Sequence, residues 1–333
     1  MKKSGCLVAF LLVAVCVSLF ANLILLAMLG AKGATSMAGM KVLEPHEYHE
    51  EVIEEGSDHH DKIAVIPLAG VIGFESEGSL GDSMVEDFKL ALKQAADDPD
   101  VKAVVIETDS PGGEITASDV LYDAIKNFDS DKPVIVYFNA IGASGAYYMA
   151  CGADWIMCND TTFTGSIGVI ISTLNYRELF GKIGLESVVF KSGKFKDMLN
   201  GAREMSPEEK EYVQSLVMQS YDRFLGIVAS SRKLDPSKLR AGPADGRILS
   251  GTDALREKLV DQLGYIEDAY AKARELGQSP NATVVRYLRH YNFGKLLQFL
   301  GESRAAKIQI DLPGKRTALE PGRVYLLPPF FAP

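Results

Sequence analysis

From Lys62 onward the chain repeats one pattern: a short run of β-branched and apolar residues, a turn, then an amphipathic helical stretch. Ile63–Ile72 reads as a strand, and Ser83–Ala96 as a helix with Val85, Phe88, Leu92 and Ala95 on one face. Lys102–Thr108 reads as a buried strand, about Ala117–Phe128 as a helix, and Pro133–Phe138 as the next strand. Strands separated by helices of this length run parallel, because each helix carries the chain back across one face of the sheet. Trp155–Cys158, Ile167–Ile171 and Ser187–Phe190 read as further short strands. Ser206, with Pro207 next and Glu209 three residues on, opens a long helix through a capping box. A turn at Ala241–Gly246 leads into helices over Gly251–Lys258 and Ile266–Leu276. The pattern predicts one α/β domain over residues 62–277 with a mainly parallel sheet.

The flanks differ from this core. Lys2 and Lys3 precede an apolar run from Cys6 to Leu29, broken only by Ser18 and Asn22. As a helix its 24 residues would span about 36 Å, against a hydrocarbon core of about 30 Å. The run exceeds the usual h-region of a signal peptide, so residues 1–31 are read as an uncleaved anchor. Small residues at Gly30, Ala31, Gly33 and Ala34 keep cleavage open as an alternative. The leading lysines predict a cytoplasmic N-terminus and an extracytoplasmic remainder, periplasmic or extracellular. Residues 32–61, rich in Glu and holding His46, His49, His59 and His60, read as an acidic linker rather than a metal site. Residues 278–333 form a separate C-terminal extension, with amphipathic spacing over Tyr287–Leu300 and an apolar, proline-rich end.

Composition narrows the function. The formal net charge of −9, without a basic stripe, argues against nucleic acid as a partner. Only Cys151 and Cys158 fall in the core, too few ligands for a zinc site when no histidine lies between His60 and His290. No metal or other cofactor is expected.

The same lack of histidine bears on the chemistry. Gly142-Ala143-Ser144-Gly145-Ala146 follows an apolar strand and presents Ser144 on a small-residue turn. A serine nucleophile needs a base for its proton, usually histidine; with none in the core, a lysine takes that place. Taken alone, Ser144 reads equally as a helix N-cap, and Asp109-Ser110-Pro111-Gly112-Gly113 as a plain strand-to-helix turn. Lys191-Ser192-Gly193-Lys194-Phe195-Lys196-Asp197, taken alone, reads as surface charge. Together they fit one mechanism. Ser144 attacks a peptide carbonyl, a neutral lysine accepts its proton, and the amides of Gly113 and Gly145 hold the oxyanion, at about 3 kcal/mol per donor. Burial is what brings a lysine toward neutrality, and Ser166 is placed to hold the amine by a hydrogen bond.

These segments resemble the SppA family of signal peptide peptidases, membrane-anchored serine proteases of the Clp protease/crotonase fold with repeated ββα/βαβ units. The likeness covers about Ile63–Gly277. It is carried by Asp109–Gly113, Gly142–Tyr148, Thr164–Val169 and Gly193–Asp197, with Gly246–Gly251 and Leu259–Gly264 behind them. The resemblance implies Ser144 as nucleophile, Lys196 as general base, Ser166 as the lysine's hydrogen-bond partner and Gly113 in the oxyanion loop. It implies a homo-oligomer in which serine and lysine come from neighbouring subunits, acting on signal peptides and other apolar unfolded peptides. Two alternatives share parts of this pattern. A stomatin-directed membrane protease has the same dyad but normally carries further C-terminal membrane spans, and a crotonase-fold acyl-CoA enzyme lacks the serine nucleophile.

Overall fold

The computed structural model describes residues 48–74, 83–128, 131–289 and 325–326, and also Ser18. The chain divides into two units, Met1–Glu47 and Tyr48–Pro333, and the sheet with its helices belongs to the second. The apolar run Cys6–Leu29 lies outside the described residues except for Ser18, which is helical. Among the described residues no helix is long and apolar enough to cross a membrane.

In chain order the elements are β1 (His49–Glu54), β2 (Asp58–Ala69), α1 (Met84–Asp97), β3 (Val101–Ser110), β4 (Gly113–Glu114), α2 (Ile115–Lys126) and β5 (Val134–Ala143). There follow α3 (Gly145–Ala150), β6 (Trp155–Cys158), β7 (Phe163–Gly165), α4 (Arg177–Lys182), α5 (Pro207–Arg232) and α6 (Pro236–Ala241). The last are β8 (Ile248–Ser250), α7 (Gly251–Arg256), β9 (Gln262–Leu263), α8 (Ile266–Leu276), β10 (Ala282–Leu288) and β11 (Tyr325–Leu326). The main sheet runs β1-β10-β2-β3-β5-β6-β9, with β7 added to β5 and β8 to β7. Its pairs are parallel except β1 with β10 and β7 with β8.

The sheet is buried on both faces, which is why its strands read as nearly continuous apolar runs. Side chains alternate between the faces. Ala64, Ile66, Val104, Ile106, Val136 and Phe138 join a core with α1, α2, α3 and α5. Ile63, Val65, Ala103, Val105, Ile135 and Tyr137 face the other way, under Ala269, Tyr270 and Ala273 of α8. At the start of α5, Ser206 Oγ accepts from Glu209 N and the Glu209 carboxylate accepts from Ser206 N, so the expected capping box is formed.

The folded unit is wider than residues 62–277. The segment read as an acidic linker supplies β1, and the C-terminal extension supplies β10, which pair with each other and continue the sheet past β2. β1 is an exposed edge strand with both faces largely in solvent, so its sequence carries no apolar alternation to announce it. Of the amphipathic stretch Tyr287–Leu300, the first two residues end β10, and residues 290–300 lie outside the described residues. Two other expectations are corrected. The strand placed at Ile167–Ile171 falls instead at Phe163–Gly165, and Ser187–Phe190 forms no strand and is exposed. Val188, Val189 and Phe190 have strand-like composition, but among the described residues no strand pairs with them.

α5 is the brace of the helical layer. Phe224 is fully buried, its ring centroid 4.9 Å from that of Tyr148 in α3. Arg232 grips Asp261 at 2.6 Å, and Asp261 Oδ2 accepts from Ile156 N in β6. Phe224→Ala removes the aromatic contact between α5 and α3 and leaves a cavity; a loss of about 3–5 kcal/mol is expected. The check is the urea midpoint of the purified chain, which should fall clearly, whereas an unchanged midpoint would show that α5 does not depend on this contact.

Candidate active site

The site forms where parallel strands end side by side. Ser110 at the end of β3 is in register with Gly142 of β5, and Ala143 at the end of β5 is in register with Gly165 at the end of β7. The residues that follow these ends, 111–113, Ser144 and Ser166, are therefore delivered to one edge of the sheet, the position where open α/β sheets hold their ligands. β5 makes this possible by changing partner along its length: Ile135–Phe138 pair with β6, while Ile141–Ala143 pair with β7.

Ser144 sits on a sharp turn. Its φ of 55° is in the left-handed region that L side chains rarely adopt. Three hydrogen bonds around it hold the turn: Ser144 N donates to Gly165 O at 2.8 Å, Tyr148 N to Ser144 O at 2.8 Å, and Ser166 N to Arg247 O at 2.8 Å. The Ser144 side chain is 1% exposed, and its hydroxyl has no hydrogen-bond partner among the described residues. Buried hydroxyls are nearly always satisfied, so this one stands out. Ser166, also buried and at positive φ, follows directly on β7, the strand that pairs with the end of β5 before Ser144.

The Gly112-Gly113 turn packs against the start of α3. Asp109 Oδ1 accepts from Ile141 N at 3.1 Å, and Ser110 Oγ accepts from Gly112 N at 3.1 Å, which fixes the loop to β5. Gly112 has a φ of 100°. Ile72 N donates to Gly112 O and Ile72 O accepts from Glu114 N. Gly113, between them, turns its own amide to the opposite edge, because successive peptide groups in a strand alternate. A Cβ on Gly145 would lie 3.0 Å from Gly113 N and 2.4 Å from Ser118 Oγ, so this close approach requires glycine. The Gly145 amide opens the first turn of α3, where helical N–H groups have no intrahelical acceptor. Gly113 also pairs with Leu326 of β11, so this edge of β4 is taken by an extended antiparallel segment of the chain itself.

Lys196 stands apart from this edge in its surroundings. It lies in an irregular segment between α4 and α5, is exposed, and makes no side-chain hydrogen bond or ion pair among the described residues. The other lysines nearby are engaged: Lys191 with Asp197 at 2.7 Å, and Lys194 with Glu208 at 2.6 Å. Ser144, Gly113, Gly145 and Ser166 are thus assembled at one buried edge, and Lys196 is not hydrogen-bonded to any of them. Cys151 and Cys158 are free and buried, each thiol pushed up to about 12 by loss of hydration.

A family model described as peptidase family S49 matches residues 126–279, a span that includes Ser144, Ser166 and Lys196. An Enterococcus faecium protein, provisionally named signal peptide peptidase SppA, is 39% identical over 246 residues, 73% of this chain and 71% of its own. The chain belongs to the SppA family. A provisionally named protease of Methanocaldococcus jannaschii is 35% identical over 241 residues, 70% of this chain and 76% of its own. Protease 4 of Salmonella typhi is 32% identical over 234 residues, 69% of this chain and 37% of its own. This SppA-family protein is accordingly a serine endopeptidase.

Two polar clusters of this SppA-family chain were not foreseen from sequence. In the first, Tyr148 OH donates to Asp119 Oδ1 at 2.6 Å, and Arg223 holds both Asp119 oxygens at 2.8 and 2.9 Å. Burial, then the Asp119 carboxylate, pushes the Tyr148 phenol well above its ordinary range. This cluster joins α2 behind the glycine turn, α3 behind Ser144, and α5. Its members are far apart in sequence, and nothing local signals their meeting. In the second, Arg203 spans Asp197 and Glu209. The Ser206–Glu209 capping box was legible, but the second use of Glu209 was not.

Hydrogen bonds from Arg203 hold both carboxyls of that cluster below their ordinary values of 3.8 for Asp197 and 4.5 for Glu209, the latter down to about 2. Depressed carboxyl values stabilise the fold above the unfolded pKa, and that contribution is lost as pH falls through the folded value. Pepsin cleavage within residues 191–204 should therefore be slow near pH 4.5 and accelerate toward about pH 2. An equal rate across that interval would show that the cluster does not order the segment.

Proposed function

We propose that this serine endopeptidase is anchored in the cell's cytoplasmic membrane by residues 6–29, with its catalytic domain on the extracytoplasmic side. There it degrades signal peptides and other apolar unfolded peptides through a dyad of Ser144 and Lys196 contributed by neighbouring copies. The observation that carries this reading is a pair of complementary deficits. Ser144 Oγ is buried with no partner among the described residues, and Lys196 is exposed with none. Each copy has a nucleophile without its base and a base without its nucleophile.

The segment before Lys196 supports the assembly. Between residues 172 and 200 the chain leaves the domain as an arm whose return is tied at its base by Tyr176 N to Gly201 O and Thr173 Oγ1 to Leu199 O. α4 in this arm has no buried residue. Leu174, Leu179, Ile183, Leu185, Val188 and Phe190 are all exposed, Phe190 at 96%. So much exposed apolar surface on a structured arm marks an interface, and the occupant proposed is a second copy, since it alone would bring Lys196 under cover beside a Ser144. A free lysine with an ordinary pKa of about 10.4 is neutral in about one molecule in 2,500 at pH 7. Covering it disfavours the ammonium form, so assembly makes the base.

The steps then follow. Lys196 Nζ takes the Ser144 proton as Oγ attacks the scissile carbonyl, and the amides of Gly113 and Gly145 stabilise the resulting oxyanion. The ammonium returns that proton to the leaving amine, an acyl-enzyme forms, and water activated by the same amine releases the acid. Ser166 accepts or donates at the lysine amine and keeps it aimed. The edge of β4, which here takes residues 325–326 as an extended antiparallel segment, suits an unfolded peptide that replaces them beside Gly113 by strand addition. The anchor holds this edge near membrane-released apolar peptides.

The test uses the full chain in detergent and a quenched fluorescent peptide that is apolar and unstructured. Ser144→Ala and Lys196→Ala should each lose about 10³-fold or more in kcat, while Lys194→Ala stays within about twofold. Mixed oligomers of the Ser144→Ala and Lys196→Ala chains should recover activity. Verified mixed oligomers with no recovery would place the dyad within one copy, and an active Lys196→Ala would remove it from the chemistry.

A further inference from the structure

Lys196 has two neighbours that are both tied down. The Phe195 ring packs against Tyr212 of α5, centroids 5.5 Å apart. The Asp197 carboxylate is fully engaged: Oδ1 accepts from Lys191 Nζ at 2.7 Å and Arg203 Nη2 at 2.8 Å, and Oδ2 accepts from Arg203 Nε at 2.8 Å. Arg203 Nη2 also donates to Asp197 O at 3.1 Å. The other side of the same guanidinium reaches Glu209, with Nη1 to Oε2 at 2.9 Å and Nη2 to Oε1 at 2.5 Å, and Nη1 donates to Glu204 O at 2.9 Å. Glu209 is 4% exposed and is already fixed by its capping box at the start of α5. One planar side chain thus bolts the residue after Lys196 to the first turn of α5.

We propose that Arg203, seated on Glu209, is a positioning residue for the base: it holds the Lys196 segment and keeps the Asp197 carboxylate from becoming a counter-ion to the Lys196 amine. This inference rests on Lys196 being the base. Without Arg203, Asp197 would be the nearest carboxylate in sequence to a lone ammonium, and a carboxylate beside an ammonium holds the proton on it. A base held protonated is no base. The ion-paired charges of the segment engage one another. Lys191, Lys194, Asp197, Arg203 and Glu204 lie on the segment itself; Glu208 and Glu209 face it from α5, and Arg177 of α4 pairs with Glu204. Each is paired with another of the set, and Lys196 is the member left over.

The readout is the acid limb of the kcat/KM–pH profile, where activity rises as the base loses its proton. It is measured on the full-length chain in detergent with the same unstructured peptide, alongside oligomer mass and thermal midpoint. Arg203→Met leaves Asp197 held by Lys191 alone and should move the limb up by about one pH unit, with activity down about tenfold at neutral pH and recovering at alkaline pH. Arg203→Lys should restore part of the shift. Asp197→Asn, which leaves Arg203 with Glu209 as its one carboxylate, should move the limb down, and combining it with Arg203→Met should return the limb toward wild type. Opposite movements by two variants of one cluster are not produced by loosening the fold. If Arg203→Met fails to assemble, Asp197→Asn decides. A limb unmoved or raised in Asp197→Asn, or unmoved in an assembled Arg203→Met, overturns the proposal. Activity retained in Lys196→Ala would instead remove the dyad reading beneath it, so the two failures are told apart.

Discussion

Everything at the site depends on where β3, β5 and β7 stop. Parallel strands in register place their carboxyl ends together, and here the pairs Ser110 with Gly142 and Ala143 with Gly165 bring the glycine turn, Ser144 and Ser166 to one edge. The register is held by backbone ladders that are dry on both faces, so slipping one residue would turn apolar side chains to the wrong layer. The left-handed backbone at Ser144 is the local cost of that arrangement. It is tolerated because Gly165 O, the start of α3 and the Gly112-Gly113 turn all constrain the same residue.

Behind the edge, α5 carries the rest. Its first turn receives Glu209 and through it Arg203 and the segment of Lys196; its middle holds Asp119 and Tyr148 through Arg223; its last turn holds Asp261 through Arg232. Each contact uses a guanidinium rather than an ammonium, which suits the task, since a planar fork fixes orientation as well as distance. On the shared-dyad reading, the helix that braces a subunit's own nucleophile also aims the lysine that subunit gives to its neighbour.

Much of this was readable in the residues. The buried strands, α5 with its cap and α8 follow from periodicity, and the turns bearing Gly113 and Ser144 from glycine placement; the choice of Lys196 came from the family resemblance. β1 was not readable, because an edge strand exposed on both faces has no apolar alternation. Ser187–Phe190 misled for the converse reason: its β-branched and aromatic residues announce burial, and in a single chain they are bare. That error is informative, since residues chosen for burial yet left exposed point to a surface completed by something else. The Asp119–Tyr148–Arg223 and Asp197–Arg203–Glu209 clusters were hidden because a charged residue gives no sign in sequence of which distant partner it will meet.

The exposed arm and the unpartnered base belong to one argument about control. A peptidase active as a single chain would present a neutral lysine and a free serine wherever it met an unfolded peptide. Here the Ser144 hydroxyl is buried without a partner among the described residues, and the amine proposed as its base is exposed. On the shared-dyad reading, the apolar residues of the arm and the desolvation of the amine draw on the same event, the covering of that surface by another copy. Hydrophobic association would then supply the free energy that neutralising a lysine requires, and Arg203 would keep the proton, once displaced, from being held back by the carboxylate next door.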